Sequence, residues 1–159
     1  MVSSAVVNKS FNPSPAPRSG IYRVLQESTS RYLDAHESSA HDFSAVLRPF
    51  QDNDTQRWVL QKEEDGEYTI LQTSSDRYLD AHESSANDFS AVTRPMQNND
   101  TQRWVIVPQR FAGQFRIRHK SSGRYLDAHE SAANDFSVVT RIAQSNLTQI
   151  WRLEAVRFF

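Results

Sequence analysis

One ten-residue string occurs three times in this chain, and this repetition constrains the fold more than any other feature of the sequence. RYLDAHESSA stands at 31–40 and again at 77–86, and RYLDAHESAA stands at 124–133. Asp34, Asp80 and Asp127 are separated by 46 and 47 residues, and Trp58, Trp104 and Trp151 keep the same two spacings. Nearly the whole chain after residue 19 is therefore three copies of one unit. We expect a poorly ordered arm over 1–19 and one domain over 20–159, with repeats 20–66, 67–113 and 114–159.

Each unit is predicted to contain four short strands. The segments IYRVLQ, EYTILQ and QFRIRHK alternate apolar and polar residues, as half-buried strands do. The segments FSAVLRP, FSAVTRP and FSVVTRI are rich in β-branched and aromatic residues. The SSANDF stretch between strands can hold a helical turn instead. Twelve strands in three groups of four predict an all-β domain.

Three repeat architectures compete for such a chain. Propellers typically close with four or more blades, and solenoids need terminal units with atypical polar faces. The present chain has three units of roughly 46 residues that stay similar to the last strand. A β-trefoil with pseudo-threefold symmetry fits better than either alternative.

Composition excludes several classes of function. The 159 residues include 18 Lys plus Arg and 19 Asp plus Glu, so no strong charge favours nucleic acid or an anionic membrane. No apolar run approaches the roughly 20 residues that span a bilayer, which predicts no membrane insertion. The chain has no cysteine and no recognisable secretory signal, so we expect a cytoplasmic protein or one secreted without a signal peptide.

The end of each unit carries a second shared motif. TQRW, TQRW and TQIW resemble the Gln-x-Trp signature of the ricin B-type lectin family, and YLDA resembles its Cys-Leu-Asp-Val segment. The likeness covers about residues 20–157. It implies a β-trefoil and a carbohydrate-binding function.

The resemblance also implies candidate ligands for sugar hydroxyl groups. Asp34, Asp80 and Asp127 match the family carboxylate, and an ionised carboxylate can accept hydrogen bonds from two adjacent hydroxyls. On an extended strand, residues two apart share a face, which places His36, His82 and His129 beside them. The alternative interpretation is a buried aspartate that only fastens a turn.

Three arginines stand where many family members carry an aromatic residue for stacking on the sugar: Arg48, Arg94 and Arg141. An arginine can donate hydrogen bonds to hydroxyls or to an acidic sugar. It can equally form an Asp–Arg pair that fastens two strands, and both interpretations stay open. The galactose preference common in the family is not carried over.

Two amide residues complete each predicted site. Asn53, Asn99 and Asn146 lie near the position of the family's amide ligand, although Thr55, Thr101 and Thr148 occupy the strict position. Gln56, Gln102 and Gln149 match the motif glutamine and are expected to brace the pocket. The tryptophans can stack on a sugar, but we assign them to the core because the residues after them continue a strand.

Metal and enzyme interpretations are weaker. Three symmetry-related histidines can in principle meet at a zinc ion, but equivalent trefoil sites lie far apart. There is no Cys nucleophile, Gly-x-Ser-x-Gly elbow or Gly-rich phosphate loop. We therefore expect no metal, no cofactor and no catalytic residues.

The sequence predicts a non-catalytic lectin that binds glycans or glycoconjugates through up to three equivalent sites. The competing prediction is a protein-interaction β-trefoil, such as a protease inhibitor or a cytoskeletal binder, in which the repeated polar residues are structural. The third unit departs from the others at Leu147 and Ile150, which replace Asp and Arg. This departure indicates either a weaker third site or a contact with another chain, as in a homo-oligomer.

Overall fold

The computed structural model describes residues 12–159, which form a β-trefoil. The twelve strands in this part of the chain confirm the predicted number and grouping. They are β1 Gly20–Gln26, β2 Tyr32–Ala35, β3 Ala45–Arg48, β4 Trp58–Lys62, β5 Glu67–Gln72, β6 Arg77–Ala81, β7 Ala91–Arg94, β8 Trp104–Pro108, β9 Phe115–His119, β10 Tyr125–Ala128, β11 Val138–Arg141 and β12 Trp151–Phe158.

Six strands close into a barrel. Antiparallel pairing runs from β1 to β4, β5, β8, β9 and β12, and β12 pairs with β1 again. Closure removes the exposed strand edges that would otherwise pair with other chains. The remaining strands form three hairpins, β2–β3, β6–β7 and β10–β11. Single bridges such as Ser44–Val92 join these hairpins to one another.

The core is built from the residues that repeat with the unit. Trp58, Trp104 and Trp151 are fully buried, which confirms their assignment to packing. Each indole Nε1 donates to the carbonyl oxygen of the leucine in the YLDA segment, at 2.9–3.0 Å. The tryptophan thus ties the barrel to the hairpin that carries the predicted site.

The SSANDF stretch forms a single 3-10 turn in each unit, at Ser39–His41, Ser85–Asn87 and Ala132–Asn134. An Asp-Phe pair follows each turn, and both of its residues adopt the left-handed conformation, with φ of 54° and 50° at Asp42 and Phe43. This conformation costs an L-residue about 1–2 kcal/mol. Contacts with the next repeat stabilise it, because the Phe43 carbonyl accepts from Thr93 N and the Arg77 guanidinium lies 3.6 Å from the Phe43 ring centroid.

The predicted N-terminal arm falls partly outside the described residues, since residues 1–11 are not described. The residues that follow contact the barrel. Tyr68 Oη donates to the Pro17 carbonyl at 2.6 Å, and Gly113 N donates to Ser14 Oγ at 2.7 Å.

Candidate carbohydrate site

The three repeated aspartates lie at the ends of β2, β6 and β10, with only 5–6% of their surface exposed. In the third repeat, Asp127 Oδ1 accepts from Ala128 N at 2.8 Å, and Asp127 Oδ2 accepts from Gln149 Nε2 at 3.0 Å. The other two repeats make the same two bonds. Each carboxylate is therefore held in one orientation.

The motif glutamine is the brace of each aspartate. Gln149 is fully buried, and its Nε2 also donates to the Ile142 carbonyl while its Oε1 accepts from Gln144 N. A side chain with all three contacts satisfied cannot rotate to follow a ligand. Its contribution to a site is to fix the Asp127 carboxylate, as the sequence predicts for a bracing residue.

The histidines and arginines contact an acidic residue of a neighbouring repeat. Arg94 Nη2 donates to Asp42 Oδ1 at 2.7 Å, and His82 Nε2 lies 2.7 Å from Asp42 Oδ2. Arg94 Nη1 also donates to the Asp42 and Thr93 carbonyl oxygens. The arginine therefore does form an Asp–Arg pair, but the pair joins two repeats rather than two strands of one repeat.

The same arrangement recurs around the threefold axis. Asp88 binds His129 and Arg141, and Asp135 binds His36 and Arg48. The direction is cyclic, since the acid always belongs to the preceding repeat. These three Asp residues were missed by sequence reasoning. Their signal was the DFS tripeptide, which stands at the same offset in every unit.

The charge environment of these acids follows from their partners. Burial by itself raises the pKa of Asp42, but hydrogen bonds from His82 and Arg94, together with the Arg94 charge, lower the pKa overall. The pKa values of Asp88 and Asp135 are lowered by the same combination. All three carboxylates are thus held ionised beside the predicted site arginines.

The repeated glutamates also cross repeat boundaries. Ser74 Oγ donates to Glu37 at 2.8 Å, and Ser121 Oγ donates to Glu83 at 2.6 Å. The third such pair joins Ser28 to Glu130. The three glutamates are exposed.

The predicted asparagines cap short helices. Asn146 Oδ1 accepts from Thr148 N at 3.2 Å and from Thr148 Oγ1 at 2.6 Å, which is the usual bonding of a capping asparagine. Asn53 and Asn99 do the same in their repeats. Each capped turn ends at a bracing glutamine; the turns are Asp54–Gln56, Asp100–Gln102 and Leu147–Gln149. The asparagine side chains themselves are exposed.

Four of the predicted residues converge in the third repeat. A cavity of about 290 Å³ is lined by Asp127, His129, Arg141 and Asn146. Gln144, Thr148 and Glu130 also line it, together with Ala128 and Val139. Gln149 lies behind the wall. Residues scattered between Asp127 and Thr148 thus face one concave space.

Metal-ligating clusters and membrane-spanning helices are two further features to consider in the described part of the chain. Within residues 12–159, no group of three or more His, Cys, Asp or Glu side chains is arranged to hold a metal ion. No helix in that range is long and apolar enough to cross a membrane.

Solved structures share this architecture at low sequence identity. The designed threefold-symmetric protein ThreeFoil matches with a TM-score of 0.77 and 22% identity, over 86% of this chain and 99% of that one. A Polyporus squamosus lectin, bound to the epitope Neu5Aca2-6Galb1-4GlcNAc, matches with a TM-score of 0.76 and 16% identity, over 88% of this chain and 50% of that one.

A third structure is the Macrolepiota procera ricin B-like lectin in complex with lactose. Its TM-score is 0.73 at 17% identity, over 89% of this chain and 99% of that one. At such identities the likeness establishes the fold alone. A comparison with curated protein sequences found no match.

Family-level comparison covers most of the chain. The profile described as "Ricin-type beta-trefoil lectin domain-like" matches residues 8–94 and, in a second overlapping alignment, residues 54–145. Two alignments offset by one repeat are the expected outcome for a chain built from three similar units. The chain therefore belongs to the ricin-type β-trefoil lectin domain-like family.

Proposed function

We propose that this protein is a non-catalytic carbohydrate-binding protein with up to three equivalent sites, which together bind multivalent glycans. The observation that carries the proposal is the third-repeat cavity, in which Asp127, His129, Arg141 and Asn146 face one space. All four residue types stand at matching positions in the other two repeats.

The chemistry of the braced carboxylate suits sugar hydroxyl groups. An ionised carboxylate offers about four lone-pair positions. Asp127 uses one on each oxygen for Ala128 N and Gln149 Nε2, which leaves the others for a ligand. Because these partners fix its orientation before binding, little conformational entropy is lost when a sugar arrives.

The roles of the arginine and the histidine differ from that of the aspartate in this proposal. Arg141 Nη1 and Nη2 already donate to Asp88 and to the Thr140 carbonyl. His129 Nε2 is engaged by the same Asp88. We assign these two side chains to shaping the wall of the pocket, with the aspartate as the principal acceptor.

The ligand class rests on the family and its structural relatives. The Macrolepiota procera lectin was solved with lactose, and the Polyporus squamosus lectin with a sialylated trisaccharide. We propose glycans as ligands of the present chain by analogy with these proteins. The protein-interaction alternative draws support from the cyclic Asp–His–Arg contacts, which give the repeated His and Arg residues a structural reason to recur.

A glycan array followed by amide chemical-shift mapping tests the proposal on the unmodified protein. A glycan that binds should shift the amide signals of Ala35, Ala81 and Ala128, whose N–H groups donate to the three aspartates. Shifts at one or two of these amides would give the number of working sites. No array binding at high protein concentration, or shifts confined to residues away from these aspartates, would overturn the proposal in favour of protein interaction.

A further inference from the structure

A second cavity, of about 320 Å³, is lined by residues within 109–116 and 145–150, and it shares one lining residue, Asn146, with the Asp127 cavity. Its walls combine the guanidinium groups of Arg110 and Arg116 with the apolar side chains of Phe111, Leu147 and Ile150. No carboxylate is among the lining residues in the described range. Six of the nine lining residues are polar or charged and three are apolar, so the cavity offers a small ligand both cationic groups and apolar surface.

The first repeat shows what Arg116 lacks. Its counterpart there is Arg23, whose Nη2 binds Asp52 Oδ1 at 2.9 Å. Asp52 also binds Arg57 at 2.5 Å. In the third repeat Ser145 stands in place of Asp52 and Ile150 in place of Arg57.

A second acid is lost at the same place. Asp54, which binds Arg57 at 2.8 Å, corresponds to Leu147. Arg116 retains one hydrogen bond, from Nη2 to the Gln144 carbonyl at 3.2 Å, and lies 5.9 Å from the Tyr125 ring centroid. Within residues 12–159 it forms no ion pair. The Arg116 guanidinium has been kept, while Ser145 replaces the one carboxylate that Arg23 binds in the first repeat. Leu147 and Ile150 replace the neighbouring Asp54–Arg57 ion pair with apolar side chains.

The second repeat provides a further comparison. The equivalent cavity there is about 140 Å³ and is lined by Glu63 and Arg103. Arg103 Nη2 donates to Asn98 Oδ1 at 3.0 Å, so the position of the acid is again filled by the protein itself. In the larger cavity Gln109, from the end of the second repeat, stands where Glu63 stands in the smaller one.

From these differences we propose that the third repeat binds a small organic carboxylate with an attached apolar group, at a site distinct from the sugar pocket. The carboxylate takes the place that Asp52 has in the first repeat and accepts hydrogen bonds from Arg116, with Arg110 adding positive charge. The apolar group packs against Leu147, Ile150 and Phe111. This assignment explains why the third unit departs from the other two at Leu147 and Ile150.

Two features support a ligand that has both a carboxylate and an apolar group. A guanidinium binds a carboxylate through charge-assisted bonds, which are roughly twice as strong as neutral ones. Leu147 is 53% exposed and Phe111 43% exposed, so an apolar ligand group would remove their surfaces from water. Charge and apolar surface thus favour the two ends of one amphipathic ligand.

Amide chemical-shift titration of the full chain with 3-phenylpropanoate tests the inference, with 3-phenylpropanamide as the neutral control. The acid should produce saturable chemical-shift changes at residues 109–116 and 145–150. The amide should bind at least about tenfold more weakly, because it cannot form the charge-assisted hydrogen bonds of the carboxylate. Arg116→Gln should weaken binding of 3-phenylpropanoate by a similar factor.

Ser145→Asp is the most discriminating variant, because it gives Arg116 the carboxylate partner that Arg23 has in Asp52. It should abolish binding of the acid and leave the melting temperature unchanged or higher. Arg23→Gln serves as the matched control and should leave binding unchanged. The inference is overturned if the acid fails to bind at millimolar concentration, if the amide binds equally well, or if Ser145→Asp binds like the unmodified protein. None of these outcomes depends on whether sugars bind at the Asp127 pocket.

Discussion

Arg94 of the second repeat donates to Asp42 of the first at 2.7 Å, across a sequence separation of 52 residues. The contact belongs to a cyclic set of three, in which each β-hairpin is fastened to the preceding one by an Asp, a His and an Arg. The repeated polar residues therefore hold the threefold fold together, in addition to any role in ligand binding.

The Arg94–Asp42 pair is expected to contribute to stability. A double-mutant cycle with Arg94→Gln and Asp42→Asn, measured by urea unfolding, should give a coupling free energy of about 1 kcal/mol, because the Asp42 side chain is 56% exposed and solvent screens the pair. Glycan affinity should change little. A variant that loses affinity at that site while its free energy of unfolding stays the same would make Arg94 a ligand instead.

His119 should make stability depend on pH. Burial lowers its pKa below 6.5. The unfolded chain therefore binds more protons than the folded one, so the stabilising contribution is complete above about pH 6.5 and is lost progressively as the pH falls below that value.

His119→Gln is the matched variant for this test, because Gln72 occupies the equivalent position in the second repeat. His119 Nε2 lies 2.8 Å from the Thr101 carbonyl, and Gln72 Nε2 donates to the Thr55 carbonyl at 2.9 Å. Urea unfolding at several pH values should show a flatter acid dependence for His119→Gln than for the unmodified protein. Equal slopes for the two proteins would assign the dependence to other groups.

Trp104→Ala should destabilise the domain by about 3–5 kcal/mol, as large-to-small changes in a packed core do. The side chain is fully buried, and the change also leaves the Leu79 carbonyl without its donor. Chemical unfolding measures the loss. Met96→Ala is a suitable control, since Met96 is 69% exposed and its change should cost no more than about 0.5 kcal/mol. A loss for Trp104→Ala no larger than the control would contradict the core assignment.

Asp127→Ala should act on both stability and binding. It removes the acceptor of Ala128 N and Gln149 Nε2, so we expect a loss of about 1–3 kcal/mol in the free energy of unfolding. Calorimetry with a monosaccharide, at a temperature where the variant is folded, should show one site fewer. Binding to a dense glycan surface should fall more steeply, because linked sites act through effective concentration.

The corresponding change at an exposed acid provides the comparison for Asp127→Ala. Asp52→Ala alters an aspartate whose side chain is 69% exposed and lies outside the predicted sites. It should leave monosaccharide stoichiometry unchanged. If Asp127→Ala binds both the monosaccharide and the surface like this control, the aspartate is scaffolding and the function lies elsewhere on the molecule.

The sequence by itself determined the architecture. Three sets of buried residues share one spacing: the tryptophans, the leucines of the YLDA segments, and the aromatic residue near the start of each unit (Tyr22, Tyr68 and Phe115). Burial of these large, mostly apolar side chains drives folding wherever they recur. The bracing role of the glutamine was implied by the resemblance of its position to the Gln-x-Trp motif, and the structure shows the bond from each glutamine to its aspartate. These contacts arise within one repeat, where sequence separation is short.

Only the tertiary structure decided which groups meet across repeat boundaries. The sequence alone does not distinguish Asp80 from other acidic residues as the partner of Arg94, and it does not single out Asp42. Closure of the barrel brings the hairpin of one repeat against the next, and this geometry brings Asp42 to the arginine. The tertiary structure also shows that Arg116 lacks the carboxylate partner that Arg23 has at the equivalent position. The sequence pattern shows which residues recur, but only the fold determines which side chains come within bonding distance.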